Sequence, residues 1–356
     1  MPPSKVTAPP VDDDPTAASR KEDHIELAFR SQVAAAQLDG RFDYEPLLAA
    51  HPAPGSLPAV PFGRKTMRAP LWVSSMTGGT EKAYAINHNL AQACAEFGLG
   101  MGLGSCRPLL NGTERLRDFD VRPLTGDDVP LYANLGVAQI QDLLDAGRGG
   151  ELQQLCDLLR ADGLIVHVNP LQEAMQPEGD RFRVSPLATI RELMRVVPEL
   201  PLIVKEVGQG MGPRSLAALL ALPLVAIDTA ANGGTNFSKL ELFRGDELTR
   251  RAYEPVVQLG HGAAEMVRTV NRLATGPAGA RPQVQCKQLI ISGGVGNFLD
   301  GYYLTQLSAL PAVYGQASAF LRYARADYPT LQRYVSTQLR GLELAGAYLH
   351  LRAADD

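Results

Sequence analysis

The chain of 356 residues carries 34 Lys and Arg against 38 Asp and Glu, a formal net charge of -4 that excludes the strongly basic surface of a nucleic-acid binder. Hydrophobic residues make up 45%, and 34 Gly with 26 Pro favour many short elements joined by tight turns, which excludes coiled coils and fibrous repeats. The cysteines form no C-x-x-C pair and no apolar run reaches about 18 residues, so we expect a soluble, cytoplasmic protein without disulfides, zinc or a membrane span.

Residues 1–19 are rich in proline and aspartate and contain no apolar run, which predicts a disordered tail. Residues 20–70 form an N-terminal segment that begins with the string RKEDH. Arg20 and His24 are four residues apart, with Lys21 between them, so they share a face if the segment is helical. Because the charges are mixed, a solvated surface is the simpler interpretation on sequence alone.

Eight short apolar runs alternate with segments of helical period from residue 71 onward. One of these segments, 185–197, begins at a plausible Ser185 cap before Pro186. The alternation predicts a (β/α)8 barrel over residues 71–356, since a doubly wound sheet usually has fewer strands and a nucleotide-binding fingerprint. The runs are 71–75, 99–104, 131–135, 163–169, 202–207, 224–230, 288–292 and 312–317.

Polar residues and glycines follow all eight runs, at the end of the barrel where this fold carries its chemistry. Gly-Gly pairs at 233–234 and 293–294, together with the turn after the last run, would expose backbone N–H groups that cradle a phosphate. Tight turns alone would also explain any single pair. Three such turns in register favour a phosphate site.

Lys205 interrupts an apolar run near the mouth, where a lysine is costly unless it meets an anion. A salt bridge to a carboxylate such as Glu206 is the structural alternative, although strand alternation places these two side chains on opposite faces. Arg107 likewise fits either a surface position or a second basic group for an anion.

His167 and Asn169 share a face of the fourth predicted strand, with Gln172 and Glu173 just beyond. A lone histidine is usually structural, but four polar groups at one mouth are harder to explain that way. One carboxylate among neutral groups is too few for a zinc or calcium cage. It suits Mg²⁺, which keeps waters and substrate phosphates as ligands, so Glu173 is the metal candidate.

These motifs resemble type 2 isopentenyl diphosphate isomerase, the FMN-dependent family, over about residues 20–322. The most specific part is HVNPLQE at 167–173 followed by MQPEGDR at 175–181. Further matches are RK at 20–21 with His24, MTGG at 76–79, VKEVG at 204–208 and GGT at 233–235. The departures are Asn236 and Phe237, where the family often has serine and tryptophan, and Gly296, where it often has a polar residue.

The resemblance implies that reduced FMN acts as an acid-base cofactor in moving the double bond between isopentenyl and dimethylallyl diphosphate, with Mg²⁺ on the diphosphate and NADPH as reductant. It also implies a homo-oligomer, a tetramer or octamer. The implied FMN contacts are Met76, Thr77, Gly78, Ser105, Asn134, Lys205, Thr235, Gly293, Gly294, Ala317 and Ser318. The implied substrate contacts are Arg20, Lys21, His24, Ser105, Arg107, His167, Asn169 and Gln172.

The resemblance further implies a catalytic set of Lys205, Gln172 and His167, with Glu173 as the Mg²⁺ ligand. Two alternatives stay open. One is another FMN-dependent barrel, an oxidoreductase of the 2-hydroxy-acid oxidase or IMP dehydrogenase type, although Cys106 follows the wrong strand for the latter. The other is a flavin-binding barrel without activity, which the presence of both Lys205 and Glu173 disfavours.

Overall fold

The computed structural model describes residues 16–276 and 283–352, which fall into two compact units. The large unit runs from Tyr44 to Leu351, and the small one comprises the described residues up to Asp43 together with Arg352. The predicted barrel began at residue 71. The observed division lies earlier because a β-hairpin before residue 71 packs into the barrel.

The small unit contains helix α1, Ala17–Leu27, a 3-10 turn at Ala35–Gln37 and the start of strand β1, Phe42–Tyr44. Helix α1 begins inside the segment predicted as a disordered tail, which corrects that boundary, while residues 1–15 lie outside the described residues. The helix follows Thr16 and contains alanine and charged residues, which have high or moderate helix propensity.

The large unit is a closed barrel of eight parallel strands, which confirms the predicted fold class. Each of the eight predicted runs coincides with one of these strands, and only β6 extends beyond its run, by one residue. In chain order they are β4 Leu71–Val73, β5 Gly100–Gly102, β6 Leu131–Gly136, β7 Gly163–His167, β8 Leu202–Lys205, β9 Ala226–Asp228, β10 Gln288–Ser292 and β11 Ala312–Gln316.

Helices connect the strands and surround the barrel. They are α2 Glu81–Phe97, α3 Arg122–Thr125, α4 Val137–Asp145, α5 Glu151–Leu158, α6 Pro170–Met175, α7 Pro186–Val196, α8 Pro213–Leu220, α9 Phe237–Arg244, α10 Glu247–Val257, α11 Ala263–Thr275, α12 Phe298–Leu307, α13 Ser318–Ala324 and α14 Tyr328–Tyr348. Strand β12, Leu349–Leu351, follows, and further 3-10 turns lie at Arg107–Leu110 and Leu116–Asp118.

Local sequence signals set several helix ends. The Ser185 side chain accepts a hydrogen bond from the Ala188 N–H at the start of α7, which confirms the predicted cap. Gly98 follows the last residue of α2, and its φ of 64° is the left-handed conformation that glycine adopts without strain.

A hairpin closes the N-terminal end of the barrel. Its strands β2, Val60–Phe62, and β3, Lys65–Met67, pair antiparallel. Phe62 lies 4.8 Å from Trp72, centroid to centroid, within an interior apolar cluster. The interior at this end is therefore a packed core, as is usual in a barrel of this type.

The inward-facing positions change from apolar to polar along six of the eight strands, and they end in glycine on β5 and β11. The apolar cluster includes Ile165, Ile203, Ala226 and Ile290 from four strands. Successive side chains point to opposite faces, so the residues two positions further on also face inward. With the corresponding residues of the other four strands they form a layer at the mouth of the barrel, the mouth layer. It consists of Ser74, Gly102, Asn134, His167, Lys205, Asp228, Ser292 and Gly315.

Within residues 16–276 and 283–352, no helix has both the length and the apolar character that crossing a bilayer requires.

Candidate functional site

Two adjoining cavities open at the mouth layer. The first, about 190 Å³, is edged by the loops after β9, β10 and β11, and the second, about 220 Å³, by the loops after β5, β6 and β7. Lys205 and Phe237 line both cavities. A ligand that spans the two would therefore contact Lys205 near its middle.

The first cavity is bordered by glycine loops whose backbones lie against each other. Gly293 has a φ of 87°, and a Cβ there would lie 2.0 Å from the Ala231 carbonyl oxygen. A Cβ on Gly234 would lie 3.0 Å from the backbone nitrogen of Gly294. Only glycine permits this approach at Gly293, and the exposed amides suit a phosphate group.

Lys205 ends β8 and is 8% exposed. Its Nζ donates to the backbone carbonyl of Glu206 at 2.6 Å. The Glu206 carboxylate instead accepts from the backbone N–H groups of Gly208 and Gln209, each at 2.6 Å. The side chains of Lys205 and Glu206 therefore do not form the salt bridge considered as the structural alternative, and the Lys205 ammonium borders both cavities.

Asp228 is a buried acidic residue that the sequence analysis did not identify. It is the register partner of Lys205 on the neighbouring strand and is 1% exposed. Its Oδ1 accepts from the Ser292 hydroxyl and from the Ala230 N–H. Burial raises the pKa of Asp228, and the Lys205 cation opposes that rise. Its position as the single acidic residue in the apolar run 224–230 was the available signal.

His167 is held as a neutral imidazole. Its Nδ1 lies 2.7 Å from Asn134 Oδ1, while the Asn134 amide donates to the Leu103 carbonyl. The Asn134 oxygen is therefore an acceptor, so Nδ1 carries the proton and Nε2 keeps its lone pair. Burial, and then the Lys205 cation, lowers the pKa of His167 to about 3.

This state predicts a pH-dependent stability. The native pKa of His167 is about 3, below the value of about 6.5 for an unfolded chain. The unfolded state binds more protons between these values, so the stability present above pH 6.5 is lost as the pH falls. Between pH 8 and pH 5 we expect the free energy of unfolding of His167→Gln to fall by about 2 kcal/mol less than that of the unaltered protein.

Urea unfolding at pH 8 and pH 5 measures this difference. His88→Gln is the matched control. His88 lies in α2, and its Nδ1 contacts only the Tyr84 carbonyl of the same helix. Equal pH dependence of His167→Gln and the unaltered protein would contradict a neutral imidazole at this position.

The second cavity contains a hydrogen-bonded set of amides and carboxylates. The Asn169 amide donates to Gln172 at 3.1 Å and to Glu173 Oε1 at 2.8 Å. The Gln172 amide in turn donates to Glu241 Oε1 at 3.2 Å. Glu241, on α9, is 4% exposed in its side chain and pairs with Arg244. The sequence analysis missed Glu241 because it lies in a generally charged helix.

The Glu173 carboxylate has lone pairs that remain available to a metal ion. Oε1 accepts from Asn169, and Oε2 accepts from the Asp180 N–H at 2.8 Å. A carboxylate offers about four lone-pair positions, so about two remain. No group of three or more His, Cys, Asp or Glu with metal-binding geometry occurs among the described residues. The site therefore fits a Mg²⁺ ion that takes its other ligands from water and phosphate.

The structure brings most of the predicted site residues to these cavities. The first is lined by Lys205, Thr235, Gly293, Gly294, Ala317 and Ser318. The second is lined by Met76, Ser105, Arg107, Asn134, His167, Asn169, Gln172, Glu173 and Lys205.

Two of the predicted FMN contacts lie outside these cavities. Thr77 and Gly78 line neither cavity, and a Cβ on Gly78 would lie 2.1 Å from the Phe119 ring. They contribute to the turn after β4. Arg20, Lys21 and His24 are exposed on α1 of the small unit, and their role in substrate binding stays a prediction.

Comparisons with curated proteins identify close relatives. The chain is 33% identical over 335 residues to "Isopentenyl-diphosphate delta-isomerase" of Rickettsia felis, covering 91% of this chain and 90% of the relative. It is 36% identical over 342 residues to the protein of the same name from Synechococcus sp., covering 94% and 93%. No protein-family model matches the chain.

Solved structures share the fold at low sequence identity. A flavocytochrome b2 mutant with benzoylformate superposes with a TM-score of 0.58 at 12% identity, over 88% of this chain and 79% of that one. The recombinant flavin-binding domain of baker's yeast flavocytochrome b2 has a TM-score of 0.55 at 12% identity, over 85% and 70%.

Proposed function

The chain belongs to the isopentenyl-diphosphate delta-isomerase family, and we propose that it is an FMN-dependent, type 2 member that interconverts isopentenyl and dimethylallyl diphosphate. The observation that carries the proposal is the pair of adjoining cavities that share Lys205. One cavity has the glycine loops that suit a cofactor phosphate, and the other has a carboxylate, amides and Arg107 that suit a Mg²⁺-diphosphate.

The first cavity fits the phosphate of FMN, because glycine loops edge it and their backbones pack too closely at Gly293 and Gly234 to leave room for side chains. Residues Thr235, Gly293, Gly294, Ala317 and Ser318 would hold this end of the cofactor. When bound and reduced by NADPH, FMN would supply the acid-base group that adds and removes the proton.

Lys205 would place a positive charge beside the cofactor, because its buried ammonium borders both cavities. A cation at this position stabilises negative charge on a reduced flavin ring. His167 remains neutral near it, so it adds no second positive charge and offers the Nε2 lone pair.

The second cavity would bind the diphosphate. Glu173 would hold Mg²⁺, and Arg107 would add a charge-assisted contact to a phosphate oxygen. Ser105, Asn169 and Gln172 line the same cavity and would orient the substrate. Arg20, Lys21 and His24 would complete the diphosphate contacts, as the family resemblance implies. Protonation of the alkene creates a tertiary cation, so these residues must also exclude water.

The oxidoreductase alternative has weaker support. The flavocytochrome b2 likeness concerns the fold at 12% identity, whereas the isomerase relatives cover more than nine-tenths of this chain. Burial raises the pKa of Cys106 to about 12, and its thiol donates to the Gly104 carbonyl. Such a thiol is a poor nucleophile, which disfavours the IMP dehydrogenase type.

The cysteine pattern favours a cytoplasmic location, and the resemblance implies a homo-oligomer, a tetramer or octamer; both belong to the proposal. Size-exclusion chromatography with light scattering measures the oligomeric state directly.

The proposal is tested by an isomerase assay under anaerobic conditions. We expect the protein with FMN, Mg²⁺ and NADPH or dithionite to convert isopentenyl diphosphate into dimethylallyl diphosphate. Omission of FMN or addition of a chelator should abolish conversion. In deuterated water the product should acquire deuterium, because the proton is exchanged. Binding of FMN without conversion in the complete mixture, with either reductant, would contradict the isomerase proposal.

A further inference from the structure

The loop between α6 and α7 connects three separate segments around the second cavity. Asp180 lies in this loop, and its Oδ2 accepts from Arg107 Nη1 at 3.0 Å and from Gln139 Nε2 at 2.6 Å. Its backbone N–H donates to Glu173 Oε2 at 2.8 Å. Arg107 follows β5, Gln139 is in the first turn of α4, and Glu173 is in α6. Asp180 therefore contacts elements after three different barrel strands.

Two of these contacts fix Asp180 itself. Gln139 is 7% exposed and donates from a buried position. The bond from the Asp180 N–H to Glu173 closes a compact turn, in which a Cβ on Gly179 would lie 1.9 Å from the Glu173 carbonyl oxygen. The Asp180 carboxylate, whose side chain is 25% exposed, is therefore a fixed acceptor.

Arg107 depends on this acceptor for its orientation. Its side chain is 58% exposed, and an arginine in that setting otherwise samples many rotamers. The pair with Asp180 engages Nη1 and leaves donors on Nε and Nη2 for an anion. The orientation is set before a ligand arrives, which reduces the entropy lost on binding.

We propose that Asp180 is a positioning residue for the diphosphate end of the substrate site. It holds the Arg107 guanidinium and the Glu173 carboxylate in a fixed relation, so that the cation and the metal ligand meet the same Mg²⁺-diphosphate. This inference rests on the proposed function, since it concerns the site assigned there to the diphosphate.

A surface ion pair on α4 differs from the Arg107–Asp180 pair in its exposure and in its distance from the site. Arg183 pairs with Asp142 and Asp145 of α4, and all three side chains are more than half exposed. Neither aspartate lines the cavities at the mouth. Asp145→Asn is therefore the matched control, which removes an Asp–Arg pair of similar chemistry without affecting the site.

Asp180 also has an effect of opposite sign on diphosphate binding, and the experiment distinguishes the two effects. A carboxylate near a diphosphate repels it, so its removal would tighten binding if repulsion dominated. We expect positioning to dominate, because Arg107 and Gln139 share and offset the charge of Asp180.

The experiment measures binding of inorganic diphosphate with excess Mg²⁺ to the FMN-loaded protein by calorimetry. We expect Asp180→Ala to weaken binding by about tenfold, since Arg107 must then be ordered on binding. Asp180→Asn keeps an acceptor oxygen and should lose about threefold or less. In an Arg107→Ala background, Asp180→Ala should weaken diphosphate binding by less than about twofold, because Arg107, the residue through which Asp180 acts, is absent. FMN affinity should not change.

Each outcome separates the inference from the proposed function. Absence of Mg²⁺-dependent diphosphate binding in the unaltered protein contradicts the proposed function. If the unaltered protein binds but Asp180→Ala binds equally or more tightly, Asp180 is not a positioning residue. An undiminished tenfold loss in the Arg107→Ala background would show that Asp180 does not act through Arg107. If Asp180→Ala fails to fold, Asp180→Asn replaces it. A small loss of diphosphate affinity that disappears in the Arg107→Ala background supports the proposal, and binding as tight as or tighter than that of the unaltered protein overturns it.

Discussion

Replacement of Glu173 by glutamine is expected to remove Mg²⁺-dependent diphosphate binding while FMN remains bound. Glu173 is the carboxylate that lines the second cavity, and about two of its lone-pair positions are open. We expect a loss greater than about a hundredfold, since even indirect metal partners usually cost about 10- to 100-fold. Calorimetric Mg²⁺ titration in the presence of isopentenyl diphosphate measures the loss.

The change has a local structural cost that needs a control. Glutamine would present an NH2 group to either Asn169 or the Asp180 N–H, which now donate to the two carboxylate oxygens. Glu178→Gln is the matched control, because Glu178 lies in the same segment and pairs with Arg244 at the surface. An unchanged Mg²⁺ titration in Glu173→Gln would show that another residue binds the metal.

Lys205→Gln is expected to lower the midpoint potential of bound FMN and to reduce isomerisation strongly. The buried ammonium borders both cavities, and its loss removes a positive charge that favours the reduced cofactor. A charge at about 4 Å with an effective dielectric of about 20 contributes about 4 kcal/mol. Since about 1.4 kcal/mol corresponds to about 30 mV for two electrons, we expect a decrease approaching about 90 mV.

Spectroelectrochemical titration measures this potential. Lys205→Arg retains the charge and should shift the potential much less, whereas Lys239→Gln removes an exposed lysine of α9 and should have no effect. A potential in Lys205→Gln equal to that of the unaltered protein would contradict a cationic lysine beside the flavin. FMN binding without a change in potential would leave Lys205 with only a structural role.

Local patterns account for much of the agreement between sequence and structure. The runs around Leu131 and Gln288 are apolar, and strands occur there because the side chains are buried on both faces. The Ser185 cap depends on neighbouring backbone groups, so it was readable from a few residues.

Other features were not readable because they depend on packing between distant segments. The hairpin at Val60–Met67 looked like part of a separate N-terminal segment, but Phe62 and Met67 complete the apolar interior. Thr77 belongs to a matching motif, yet it lines neither cavity, because the turn after β4 packs on the loop after β5. A Cβ on Gly104 would lie 2.4 Å from the Thr77 carbonyl oxygen.

The sequence by itself determined the eight-stranded barrel and the polar character of the strand ends, since alternation and turn residues act over a few neighbouring positions. It also identified Lys205 and Glu173 as unusual residues at those ends. Only the tertiary structure decided which groups these residues meet. Asp228 faces Lys205 through the register of adjacent strands, and Asp180 reaches Arg107 across 73 residues of sequence. Such contacts arise when the barrel closes and brings separate loops to one mouth, which no local pattern specifies.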